Sequence, residues 1–171
     1  MSEKRKREAV NTMRQHTVDR IGRPAPMSSD TVYEARSVAV PFGNCTEPSN
    51  VRAGGKSCPI RFQCAGCGFY RPDPSYIPNI EDQIRKLKAN RETAAMMDMD
   101  EFVIRNLDDE IAAFRKVAET MRQQMETMDE DERAEVEQAA AVLRKVRAAA
   151  GTGAVSLPMP TLPSQRGGAT A

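Results

Sequence analysis

The stretch from residue 79 to residue 149 contains neither glycine nor proline, so nothing in it interrupts a helix. Apolar residues recur in it every three or four positions, the period of an amphipathic helix. Asp98 or Asp100 is placed to cap a second helix, and the acidic run 129–132 marks a turn and the start of a third. The stripes are Ile80, Ile84 and Leu87; then Val103, Leu107, Ile111, Phe114, Ala118, Met121, Met125 and Met128; then Val136, Ala140, Leu143, Val146 and Ala150.

These stripes predict a mainly α fold with a long helical hairpin over residues 79–150. The simplest packing places the second and third helices, about 100–128 and 130–150, antiparallel in a coiled-coil-like hairpin. The chain has no tryptophan and only 5% aromatic residues, so a large central core is not expected. Small folded units of this kind often need additional stabilisation, for example from a bound metal ion.

The segment before the helices, residues 38–78, holds all four cysteines of the chain, with the spacing C-x12-C-x5-C-x2-C. Its many prolines and glycines predict a small, loop-rich module, and a bound metal would supply the order that such loops lack. Four thiolates form a closed tetrahedral site for a structural zinc ion. The predicted ligands are Cys45, Cys58, Cys64 and Cys67. An iron–sulfur cluster, which also takes four thiolates, is the alternative cofactor.

Charge is divided unevenly along the chain. Residues 1–78 hold 12 Lys/Arg and 7 Asp/Glu, a net charge of +5, whereas residues 79–149 hold 12 and 17, a net charge of −5. Basic residues with interleaved Phe62, Phe69 and Tyr70 suit contact with nucleic acid. The sequence therefore predicts DNA as a partner of the front half. The candidate DNA contacts are Arg52, Lys56, Arg61 and Arg71 near the cysteines and Lys4, Arg5, Lys6 and Arg7 in the N-terminal arm.

The two ends differ from the segments between them. Residues 1–37 are predicted to be a basic, partly disordered arm with a short helix near 5–16, and residues 151–171 a disordered tail rich in small residues, proline and glycine. Neither a signal peptide nor a membrane span is recognisable, so the protein is expected in the cytoplasm. Thiols stay reduced there, which favours metal binding over disulfides.

Catalytic machinery is not recognisable, and we expect no enzymatic activity. The chain has one histidine, His16, which is interpreted as a surface residue. The stretch Gly54-Gly55-Lys56-Ser57 suggests a phosphate-binding loop, but Asn50 stands where that motif needs its first glycine. The sequence shows no pairing of a nucleophile with a base.

Two stretches carry a resemblance to a known family. They are Val40-Pro41-Phe42-Gly43-Asn44-Cys45-Thr46-Glu47-Pro48-Ser49-Asn50-Val51 and Cys58-Pro59-Ile60-Arg61-Phe62-Gln63-Cys64-Ala65-Gly66-Cys67, followed by Tyr76-Ile77-Pro78. This part resembles the cysteine-bearing region after the catalytic domain in actinobacterial site-specific integrases of the tyrosine recombinase type. The family performs DNA strand exchange with arginines, a histidine and a tyrosine nucleophile, and that catalytic core does not precede Val38. Large serine recombinases are similar in architecture alone, with a zinc-bearing part that holds a coiled coil.

Together these features predict a non-catalytic, DNA-associated accessory module of an integration or transposition system. Under this interpretation we expect either a small stand-alone protein or the product of a truncated integrase gene. Its helical hairpin is expected to contact a recombinase subunit or a second copy. The alternatives are a protein-interaction adaptor that does not bind DNA, and a redox regulator with an iron–sulfur cluster.

Overall fold

The computed structural model describes residues 2–29, 35–60 and 63–151, and its architecture is mainly helical. Five helices lie in these ranges, with three short strands and a 3-10 turn at Pro74–Tyr76. The helices are α1 (Glu3–Gln15), α2 (Pro48–Arg52), α3 (Ile77–Met96), α4 (Glu101–Thr127) and α5 (Glu130–Gly151); the strands are β1 (Val38–Val40), β2 (Gly43–Cys45) and β3 (Tyr70–Arg71). The predicted tail, apart from residue 151, lies outside the described residues.

Helices α3 and α4 form the long antiparallel hairpin, which confirms the predicted fold class. Asp100 caps α4, since its side chain accepts a hydrogen bond from the Phe102 amide at 2.8 Å. The facing stripes are buried in one core, whose members on the two helices are Ile80, Ile84, Leu87, Ile111, Phe114, Val117, Ala118 and Met121. Two ion pairs also connect the helices near opposite ends of the hairpin. Arg91 pairs with Asp108 at 3.0 Å, and Arg122 pairs with Glu81.

The prediction of which helices pair was wrong, because the main partner of α5 is α1 rather than α4. Ala9 and Met13 of α1 are buried against an alanine-rich face of α5 that includes Val136 and Ala140. Small side chains let the two helix backbones approach closely, which suits the short α1. The predicted helix near residues 5–16 is therefore confirmed, and it is packed against the rest of the molecule.

The strands hold the cysteine segment against the hairpin. They form one antiparallel sheet in the order β1-β2-β3, with Cys45 opposite Tyr70. Tyr70 is only 1% exposed, and its hydroxyl donates a hydrogen bond to the Phe42 carbonyl at 2.6 Å. The Phe42 ring meets the edge of Phe114 with ring centroids 6.0 Å apart. Through these contacts the small module and the helical hairpin share one hydrophobic core.

None of the helices in the described part of the chain is both long and apolar enough to cross a membrane.

Candidate metal centre

The four cysteines come from three separate pieces of backbone. Cys45 ends β2 and is buried, whereas Cys58 follows the turn after α2 and is half-buried. Cys64 and Cys67 bracket a tight turn, closed by a hydrogen bond from the Cys67 amide to the Cys64 carbonyl at 3.0 Å. Gly66 has a φ of 76°, a left-handed conformation that glycine adopts without strain. The short spacing C-x2-C therefore produces the turn that the sequence predicts.

The 12 residues between Cys45 and Cys58 fold around one buried side chain, Asn50, which is 0% exposed. Its Oδ1 accepts a hydrogen bond from the Ser57 amide at 3.1 Å, directly before Cys58. The backbone amide of Asn50 donates to the Glu47 carboxylate at 2.6 Å. The Glu47 amide in turn donates to the Cys45 sulfur at 3.4 Å. A continuous path of hydrogen bonds thus connects the first cysteine to the backbone that positions the second.

Burial, followed in order of size by the neighbouring Cys45, Cys67 and Cys58, raises the pKa of the Cys64 thiol to about 12. The thiol of Cys64 is therefore within electrostatic reach of the other three, which places all four cysteines in one region. Glu110 of α4 acts on Cys64 in the same direction, and burial also raises the pKa of Glu110 itself. The Cys64 thiol is therefore neutral at neutral pH, and binding of a metal cation would favour loss of its proton.

In the structure, the four cysteine sulfurs are not arranged as the ligands of a metal ion. No set of three histidine, cysteine, aspartate or glutamate side chains in ranges 2–29, 35–60 and 63–151 is arranged to hold a metal ion. The chemistry of the donors nevertheless fits zinc, because four thiols are the ligand set of a closed structural site. One further feature fits as well: the Nδ2 of Asn50 is buried and has no hydrogen-bond partner in the part of the chain that the structure describes. A buried donor without an acceptor is rare in a finished structure.

The predicted DNA contacts fall into different environments. Arg52, the last residue of α2, and Lys56 are exposed, and both lie in the segment between Cys45 and Cys58, hereafter the basic loop. Arg71 is half-buried, and its guanidinium donates to the carbonyls of Gly68 and Tyr70 at 2.9 and 2.8 Å, so it holds the cysteine turn. Arg61 lies outside the described residues.

The basic run of the arm lies on α1. Lys4, Arg5 and Arg7 are exposed, whereas Lys6 is half-buried and pairs with Glu3 at 2.6 Å. Of the aromatic residues expected near DNA, Tyr70 belongs to the core and Phe69 is 45% exposed. Phe62 lies outside the described residues. The cations available for a phosphate backbone are therefore fewer than the sequence suggests.

One cluster of interacting side chains, around Arg147, was not predicted from the sequence. Arg147 of α5 stacks on the Tyr76 ring, with its central guanidinium carbon 3.6 Å from the ring centroid, and donates to the Ser75 hydroxyl. The Asp73 carboxylate beside it is 2% exposed and accepts from the Ser75 amide at 2.9 Å. Burial raises the pKa of Asp73, and this outweighs the opposing effects of Ser75, Arg147 and His16. The cluster fastens the end of α5 to the end of the cysteine module.

Comparisons of the chain with family models, with curated proteins and with solved structures found no match.

Proposed function

We propose that the protein is a non-catalytic, DNA-associated accessory module in which zinc on Cys45, Cys58, Cys64 and Cys67 fixes a basic loop. The observation that carries this proposal is the position of Arg52 and Lys56. Both are exposed on the loop between the first two cysteines, and that loop is folded around Asn50. Fixing Cys45 and Cys58 on one ion would hold both ends of the loop, so its cations would meet DNA in a defined arrangement.

The expected binding mode is electrostatic. Lysine and arginine side chains gain affinity by releasing counterions from the phosphate backbone, and the affinity then falls steeply with salt. Each phosphate contact adds about one unit to the slope of log affinity against log salt concentration. Contacts of this type are independent of base sequence and position a protein on the duplex. That role suits an accessory part of a recombination system, in line with the resemblance to site-specific integrases.

The test uses the zinc-loaded full chain and a fluorescent DNA duplex of random sequence, with binding followed by anisotropy over a series of salt concentrations. Replacing Arg52 and Lys56 together by glutamine is expected to weaken binding and to lower the salt slope by about two units. Lys88 and Arg115 are exposed cations on the acidic hairpin, so their double glutamine variant is the matched control. That control is expected to bind like the native chain.

Two results would overturn the DNA role. One is no binding to duplex DNA at low salt. The other is an equal loss in the loop variant and in the hairpin control, which would indicate attraction to overall charge alone. Removing zinc with a chelator is expected to weaken binding as well, because the loop then loses its anchors.

A further inference from the structure

The tip of the α3–α4 hairpin carries an exposed apolar patch, hereafter the tip patch, made of Met96, Met97, Met99 and Phe102. These side chains are 88%, 70%, 45% and 72% exposed, respectively. Three other large apolar side chains in the described ranges are exposed, none by more than 45%. The buried stripe of the hairpin ends at Ala94, which is 4% exposed. The patch therefore lies beyond the buried core of the hairpin.

The exposed side chains of the tip patch lie on a turn that backbone hydrogen bonds hold in place. The amides of Met97 and Met99 donate to the carbonyls of Thr93 and Ala94, both at 3.0 Å, and these bonds close the end of α3. Asp98 adopts a left-handed φ of 51°, and Asp100 caps α4. Several large apolar side chains exposed together on a hydrogen-bonded turn are typical of a site that binds another protein. Methionine side chains adapt readily to different apolar partners.

The charge around the tip patch indicates which kind of partner could bind there. Asp98 and Asp100 are exposed and form no ion pair with any described residue, while Arg105 and Arg91 nearby are already paired with carboxylates. The free charge at the tip is therefore negative. Anionic partners such as DNA or an acidic membrane surface would be repelled. A symmetric contact between two tips would place aspartates against aspartates, which is also unfavourable.

The basic helix of a second copy is not a suitable occupant either. On α1, Ala9 and Met13 are only 4% and 2% exposed, because they are packed against α5. The helix can offer charge but no free apolar anchors. A helix from a different protein, with leucine-like anchors on one face and lysine or arginine around them, satisfies both requirements.

We propose that the tip patch is a docking site for a basic amphipathic helix of a partner protein. The apolar anchors of that helix would cover Phe102 and the three methionines, and its cations would face Asp98 and Asp100. This deepens the protein-contact role expected of the hairpin within the proposed function. It also separates two tasks, since the basic loop near the cysteines would face DNA while the tip would face protein.

The probe is a synthetic helical peptide with leucines on one face and lysines on the other, titrated into the full chain by calorimetry. Native protein is expected to bind it, and Phe102→Ser to bind at least about tenfold more weakly, as for an interface anchor. Ile21→Ser is the matched control, because Ile21 is 42% exposed and lies outside the hairpin. The double variant Asp98→Asn and Asp100→Asn removes the charge, and asparagine still suits both the left-handed turn and the cap. Its binding is expected to be weaker and nearly independent of salt.

Specific results overturn the inference. These are no peptide binding, equal binding by the native and Phe102→Ser chains, or equal binding of a peptide with glutamates in place of the lysines. Self-association that Phe102→Ser abolishes would show that a second copy is the occupant instead. The DNA titration in the same samples keeps the two proposals distinct: loss of peptide binding with intact DNA binding removes only the tip site, and the reverse removes only the DNA role.

Discussion

Arg147 offers a direct test of how α5 is held to the cysteine module. Its guanidinium stacks on Tyr76 and donates to the Ser75 hydroxyl, and Asp73 lies close enough for the positive charge to lower its pKa. Replacing Arg147 by alanine removes all three interactions at once. We expect the variant to fold and to be measurably less stable than the native chain.

The size of the effect follows from the contacts. A desolvated cation over an aromatic ring contributes about 2 kcal/mol. A hydrogen bond from a charged group contributes about 1.5–3 kcal/mol. Against these stands Nη1 of Arg147, which is buried without a hydrogen-bond partner among the described residues and costs roughly 1 kcal/mol in the native protein. The expected loss is therefore about 3 kcal/mol, or a fall in Tm of roughly 6–12 °C for a chain of this size.

Urea unfolding followed by circular dichroism measures this loss. Arg144→Ala is the matched control, because Arg144 lies on the same helix with an exposed side chain, and its change should stay within about 0.5 kcal/mol. Arg147→Lys keeps the charge and loses the planar stacking, so it should fall between alanine and the native residue. A loss of less than about 0.5 kcal/mol in Arg147→Ala would refute the reasoning.

Three further predictions concern buried residues. Phe114→Ala should destabilise the protein by about 3–5 kcal/mol in chemical unfolding, since it empties the core beside Phe42; a loss below about 1 kcal/mol would contradict this packing. Asp73 has a raised pKa, so its stabilising contribution is complete at acidic pH and is lost as pH rises through its folded pKa. Asp73→Asn should therefore gain stability relative to the native chain between acidic and neutral pH, and unfolding midpoints that shift the other way would disprove it. Asn50→Ala should weaken zinc binding by about tenfold in competition with a chelator while the helices persist, and unchanged affinity would remove Asn50 from the site.

The helical part of the fold was predictable because its signals are local. A stretch without glycine or proline, an apolar stripe and the capping Asp100 determine where helices form, and they do so without knowledge of the partners. Pairing depends on the sizes of the facing side chains. The large residues Ile80, Ile84 and Leu87 complete the stripe of α4, and the small side chains of α5 suit α1 instead. Because the connections on both sides of α4 are short, α4 could pair with either α3 or α5. Its apolar stripe alone does not determine which of the two it contacts.

The tight turn of the cysteine segment was predictable from the sequence, whereas the contacts around it were not. The spacing of Cys64 and Cys67 with Gly66 between them specifies a turn locally. The role of Asn50 depends on a hydrogen bond across seven residues, and that of Arg147 on contacts across about seventy, which no local pattern encodes. Arg71 and Tyr70 were grouped with the DNA contacts because basic and aromatic residues alternate there. In the structure Tyr70 is buried and Arg71 donates hydrogen bonds to carbonyls of the cysteine segment, so both have structural roles that this alternation does not predict.

Metal analysis of freshly purified, anaerobically handled protein tests the central claim most directly. Elemental mass spectrometry combined with an absorbance spectrum should find about one zinc per chain and no visible colour, as a four-thiolate structural site requires. Several irons with matching sulfide and broad visible absorbance would contradict the zinc site and favour a redox regulator. Protein that keeps its fold and carries no metal would contradict both.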